Sequence, residues 1–210
     1  MFVGHYGVSF AAKKADTSIP LWVLFLAVQL LDVGWGVLVL LGIEKVRIIP
    51  GFTKSNPLDL YYMPYTHGFV SALLWSLGAM LLYRLVWKSA TARAGVVVAA
   101  AVFSHWVLDF IVHIPDLPLY DNTAKVGLGL WNYPAIALPL EILVFVGGLW
   151  MYFSTGVKRR AQFVILGVVM FAIQIATFFG PPPLSDKLAA GEALIAYFLF
   201  AGIIAWMENR

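Results

Sequence analysis

Six runs of about 18 to 25 residues in this chain are long and apolar enough to cross a bilayer, and that repetition limits its fold more than any other feature. They extend over 19–43, 64–86, 94–113, 133–153, 162–179 and 188–207. Hydrophobic residues fill 61% of the 210 positions and charged residues 12%, more apolar surface than a soluble globule of this size can bury. The bilayer is therefore the expected solvent, and the short polar connections leave no room for a separate soluble domain. The expected fold class is all-α: one integral membrane domain over 1–210, a polytopic transmembrane bundle of about six spans with a short N-terminal helix over 2–14.

Breaks between the runs fall where backbone chemistry requires them. Pro50, Gly51 and Asn56-Pro57 interrupt the first connection, Pro115 and Pro118 close the third run, and Gly180 followed by Pro181, Pro182 and Pro183 stops the fifth. The first run follows Lys13 and Lys14 as a signal peptide would, but it is too long and lacks a small-residue cleavage site, so it is expected to remain as a helix. Gly147-Gly148, Gly167 and Gly202 suit close helix contact.

Lys and Arg mark the topology. Nine lie in the N-terminal segment, the 84–93 and 158–160 connections and the C-terminus, against five on the opposite side, which predicts cytoplasmic termini. Tyr61, Tyr62, Tyr65, Trp131 and Tyr133 are expected at the outer interface, and Tyr83, Trp87, Trp150, Tyr152 and Trp206 at the inner one. The net charge of +3 sits at helix ends instead of in a basic stripe with interleaved aromatics, so membrane lipids are the expected partners and nucleic acid is not. Nothing in the sequence points to an oligomeric state. Cysteine is absent, so any metal must be held by His and carboxylates.

Against this background the intramembrane polar residues stand out. A carboxylate at a span's centre costs roughly 2.5 to 3.5 kcal/mol, so such groups face a cavity, each other or a metal. Asp32 lies in the first run, with Gln29 on the same face, and His67 opens the second. His105, Asp109 and His113 recur every four residues in the third, on one face of a helix, and Asp116 continues the row. With the helical rise, Asp32 falls roughly 20 Å from the cytoplasmic end of its run, His67 roughly 25 Å, and His105 and Asp109 roughly 18 and 24 Å. All four histidines join this layer if the 2–14 helix dips inward, carrying His5 roughly 12 Å up.

His5, Asp32, His67, His105 and Asp109 are thus candidate ligands of a divalent metal, zinc or manganese, with His113 and Asp116 as candidate catalytic proton carriers. The same residues also suit an interhelical hydrogen-bonded network or a proton relay, and His113 and Asp116 suit a cap on the third helix lining a solvated mouth. Glu141 is a secondary candidate, as a base or as a partner of Gln174.

His5, Asp32, Thr66-His67-Gly68 and Ser104-His105-Trp106-Val107-Leu108-Asp109 resemble the bacterial family of predicted membrane-bound metal-dependent hydrolases, of the inner-membrane type. The resemblance covers about the first 116 residues and is strongest in the S-H-x-x-L-D element. It implies a divalent-metal site at the matching His and Asp positions, hydrolysis of a lipid-like ester or phosphoester, and location in the bacterial inner (cytoplasmic) membrane. His113-Ile114-Pro115-Asp116-Leu117-Pro118 and Gly127-Leu128-Gly129-Leu130-Trp131-Asn132 resemble uncharacterised bacterial membrane proteins labelled permeases. Three functions stay open at this point: a metal-dependent hydrolase, a proton- or cation-coupled transporter, and a structural or partner-binding membrane protein.

Overall fold

A computed structural model describes residues 1–208. Among them are eight α-helices and one small hairpin: α1 (Val3–Ala15), α2 (Leu21–Val28), α3 (Leu30–Leu40), β1 (Lys45–Ile48), β2 (Leu58–Tyr62), α4 (Phe69–Val86), α5 (Ala92–Val112), α6 (Pro134–Phe153), α7 (Arg160–Phe179) and α8 (Asp186–Glu208). Helices α4 to α8 are each long and apolar enough to cross a membrane, and the α2–α3 pair makes a sixth such element if it is taken as one bent span.

Local chemistry sets most of the boundaries. Thr91 caps α5 by accepting the Ala94 amide, and Pro134 occupies the first turn of α6, where its missing N–H costs nothing. The α7 helix stops at Gly180 ahead of the three prolines, and Ser185 Oγ accepts the Leu188 amide at the start of α8. At the last turn of α1, Lys13 bonds the carbonyls of Thr17 and Ile19, a cation placed at the negative end of the helix dipole.

Three expectations are corrected. The 19–43 run is not one straight helix: α2 and α3 meet at Gln29 with a bend of 54°. The second helix begins at Phe69, because residues 64–68 form a turn that places His67 just before the Gly68 cap. The first connection folds into an antiparallel hairpin, pairing Arg47 with Asp59 and Ile48 with Leu58, so the fold is helical with a small β element. Pro50, Gly51 and Asn56-Pro57 make the hairpin's turn. The other helix limits lie within about two residues of the sequence reading.

The core is organised around α1, a 13-residue helix buried inside the bundle. Its Tyr6 and Phe10 are fully buried and meet Phe25, Phe145, Tyr152, Phe163 and Phe200 from four other helices. It crosses α6 backbone against backbone at Gly7 and Gly148: a Cβ on either would run into the other helix's main chain. That is the close contact expected for Gly148, and Gly167 likewise faces the Phe145 ring, whereas a Cβ on Gly147 or Gly202 would meet no neighbour among the described residues. At the far end of α1, Arg93 bonds the Ala15 carbonyl and Glu208 accepts the amides of Leu21 and Trp22. The ends of α1 and α8 and the starts of α2 and α5 therefore share one face of the bundle.

Candidate metal centre

Helix α1 begins beneath a polar layer, and its first amides need acceptors, because the opening N–H groups of a helix have no partner within it. Two side chains from other helices supply them. Glu141 Oε2 accepts from Phe2 and Gly4 at 3.0 and 3.1 Å, and Gln174 Oε1 accepts from Val3 at 3.3 Å. Glu141 and Gln174 thus act together on the start of α1, one turn before His5.

The structure brings His5, Asp32, His67, His105 and Asp109 together. Asp109 is the centre. Its Oδ1 lies 3.1 Å from His5 Nε2 and contacts the Met1 nitrogen, while its Oδ2 lies 3.1 Å from His105 Nε2, 3.5 Å from His113 Nε2 and 3.6 Å from His67 Nε2. Asp32 Oδ1 stands 3.2 Å from His67 Nε2 and 3.5 Å from His105 Nε2, and its Oδ2 accepts the Tyr197 hydroxyl at 2.7 Å. The His5 and His105 rings are stacked, centroids 3.9 Å apart and nearly parallel. Every member is buried except Asp32, whose side chain is 17% exposed toward the adjoining cavity.

The second ring nitrogens of His105 and His113 are also occupied, whereas His5 Nδ1 is buried without a hydrogen bond. His105 Nδ1 donates to the Val28 carbonyl at 2.7 Å, at the α2–α3 bend, and His113 Nδ1 donates to Asp116 Oδ1 at 2.9 Å. A carbonyl or carboxylate oxygen only accepts, so each of these rings carries its proton on Nδ1 and, when neutral, turns an Nε2 lone pair inward. His105 Nε2 makes no hydrogen bond although it is buried and two carboxylates stand within 3.5 Å. Lone pairs facing carboxylate oxygens repel one another unless a second ring proton or another cation lies among them, and the Met1 nitrogen reaches only the Asp109 Oδ1 side. Two sets of three residues converge closely enough to hold a metal ion: His5, His105 and Asp109, and Asp32, His67 and His105. The donor set, imidazole nitrogen and carboxylate oxygen, is one that divalent first-row metals accept.

A cavity of about 720 Å³ leads to this layer. Asp32, His67, Asp109 and His113 form its floor, while Ile173 and Phe178 of α7 and Leu188 and Ala193 of α8 give it apolar walls. His113 and Asp116 stand together beside it. Trp131 is buried against the His113 ring, with centroids 4.1 Å apart. The loop that carries Trp131 turns inward because Gly129 N bonds the His113 carbonyl, a contact between distant segments that hydropathy cannot show.

Sequence reasoning missed Glu44, Tyr197 and the Val28 carbonyl. Glu44, buried in the connection after α3, accepts the Tyr65 amide at 2.8 Å, the Thr66 amide at 3.0 Å and the Thr66 hydroxyl at 2.6 Å. Burial raises its carboxyl above the ordinary range, and the nearby His67 imidazole and these hydrogen bonds oppose the rise. An acid at the end of an apolar run reads as an interfacial charge, so its spacing carried no signal. Tyr197 had none either, being an aromatic in an apolar run. No family model, curated protein sequence or solved structure matches the chain.

Proposed function

We propose that this chain is a multi-pass membrane protein of the bacterial inner membrane, with both chain ends toward the cytoplasm, and that it is a metal-dependent hydrolase. Its substrate in this reading is a lipid-like ester or phosphoester drawn from the surrounding lipid. The likeness to the predicted membrane-bound metal-dependent hydrolases belongs to the same proposal. The observation that carries it is the convergence of imidazole Nε2 atoms and carboxylate oxygens, with buried His105 Nε2 left without a hydrogen bond.

His5, His67, His105, Asp32 and Asp109 would hold the ion. A divalent metal there supplies Lewis acidity toward a carbonyl or phosphoryl oxygen and makes water more acidic. The chain's own groups then have defined tasks. His113, with Nδ1 anchored on Asp116, has its Nε2 beside Asp109 and lines the cavity, so it is placed to take a proton from water and pass it on. Tyr197 holds Asp32, and the α7 and α8 walls accept an acyl tail. The aromatic packing of Tyr6, Phe10, Phe25, Phe145, Tyr152 and Phe163 fills the bundle between the polar layer and the Lys13 end. That filling favours a one-sided reaction chamber over a transport path.

Elemental mass spectrometry on detergent-purified protein is the direct test, with His105→Ala and Asp109→Ala compared at matched folding. Near-stoichiometric zinc or manganese in the wild type, lost in both variants, is expected, followed by metal-dependent cleavage of lipid esters or phosphoesters in mixed micelles. A wild type that takes up neither metal after reconstitution would end the hydrolase reading.

A further inference from the structure

Among the histidines of the layer, His67 differs in what its outer nitrogen meets. His105 and His113 face obligate acceptors, but His67 Nδ1 lies 2.8 Å from the hydroxyl of its own neighbour, Thr66, which can either donate or accept. The ring's proton therefore depends on where the Thr66 hydroxyl sends its single hydrogen. Thr66 Oγ1 is 2.6 Å from Glu44 Oε2, and a carboxylate oxygen only accepts. The hydroxyl hydrogen goes to Glu44, the Thr66 oxygen is left to accept, and His67 Nδ1 must donate. In the neutral ring Nε2 then has no hydrogen and presents its lone pair 3.2 Å from Asp32 Oδ1 and 3.6 Å from Asp109 Oδ2.

We propose that Glu44, acting through Thr66, is a positioning residue that fixes the His67 imidazole with its proton on Nδ1 and its Nε2 lone pair directed into the His/Asp layer. Orientation of a ligating imidazole by a carboxylate through its second nitrogen is the usual means of raising its basicity and holding its plane. Here a threonine hydroxyl is inserted between the two. The backbone keeps the relay in register: the His67 amide bonds the Met63 carbonyl, and the His67 carbonyl accepts the Trp106 indole N–H at 3.0 Å. Glu44 also sits where α3 ends, its amide on the Leu38 carbonyl, so one side chain ties the exit of the helix bearing Asp32 to the turn bearing His67. The consequence for affinity rests on the metal-site reading above, whereas the assignment of the ring proton does not.

Glu44→Gln separates this role from simple capping of the turn. A glutamine oxygen still accepts the Tyr65 and Thr66 amides, so a capping role survives the change. Its NH2 group, however, donates toward Thr66, whose hydrogen then turns to His67 Nδ1, and the ring proton moves to Nε2. Nitrogen-15 NMR of histidine-labelled, metal-free protein at alkaline pH reads the ring proton directly. The expected result is an Nδ1–H ring for His67 in the wild type and Thr66→Ser, an Nε2–H ring in Glu44→Gln, and loss of the Nδ1–H preference in Thr66→Val. Zinc affinity by chelator competition should fall by roughly 10- to 100-fold in Glu44→Gln and Thr66→Val and return in Thr66→Ser. An Nδ1–H ring retained in Glu44→Gln, or in Thr66→Val if the former does not fold, overturns the proposal. A wild type that binds no zinc yet shows the predicted ring protons sinks the metal reading and leaves the relay standing.

Discussion

The two ends of α1 are held by opposite means. Its opening turns meet the protein through directed polar contacts: Glu141 and Gln174 on its amides, Asp109 on the His5 ring. Two turns later Phe10 is surrounded by Phe25, Phe145, Tyr152 and Phe163, which attract through area and ring geometry without regard to a proton. The aromatic end can supply stability whatever occupies the polar layer. The polar end, with its carboxylates, imidazoles and the Met1 nitrogen out of water, gains from its own neighbours only when its charges are balanced. One short helix thus joins a fixed support to a centre whose energy depends on what it binds.

Substitutions should separate the two ends, beginning with the largest effect. Phe10→Ala removes a fully buried ring and should cost about 3 to 5 kcal/mol of stability, seen as a lowered midpoint in detergent unfolding, with metal content per folded molecule unchanged. Metal content that fell in proportion to stability would break the division. Next, zinc or manganese at about a hundred times its dissociation constant should stabilise the wild type by about 2.7 kcal/mol, and a chelator should reverse it. In Asp109→Asn this response should vanish, and the chelated variant should unfold earlier than the chelated wild type, because the buried Met1 nitrogen loses the carboxylate it contacts.

Smaller effects sharpen the comparison within the polar end. Tyr197→Phe removes one donor to Asp32, and metal affinity should weaken by an amount worth about 1.5 to 3 kcal/mol in isothermal titration. Glu141→Gln keeps one oxygen for the amides of Phe2 and Gly4 and should cost only about 1 kcal/mol of stability. A much larger loss of metal binding in that variant would make Glu141 part of the centre instead of a support for α1.

The helices and the composition of the centre were legible in the sequence because both are periodic. Four-residue spacing aligned His105, Asp109 and His113, and counting the rise placed Asp32 and His67 at similar depth. His5 was placed by the apolar character of residues 2–12, and the structure puts its ring on His105. What was not legible depends on contacts between distant segments. The break at Gln29 goes with a Val28 carbonyl taken by a ring 77 positions later, and Leu30-Leu31 gives no hint of it. Glu44 and Thr66 meet because a hairpin returns the chain to the end of α3, and hydropathy is blind to that return.

The bend at Gln29 has a mechanical side. At eight and eleven residues, α2 and α3 measure only about 12 and 16 Å, and neither alone matches a hydrocarbon layer about 30 Å thick. Kinking is one of the ways a membrane element meets a mismatch in thickness, and tilting is the way open to a straight helix. The elbow is the carbonyl that His105 grips, and Asp32 rides on the arm beyond it. A change of angle at that elbow would alter the separation of Asp32 from His105.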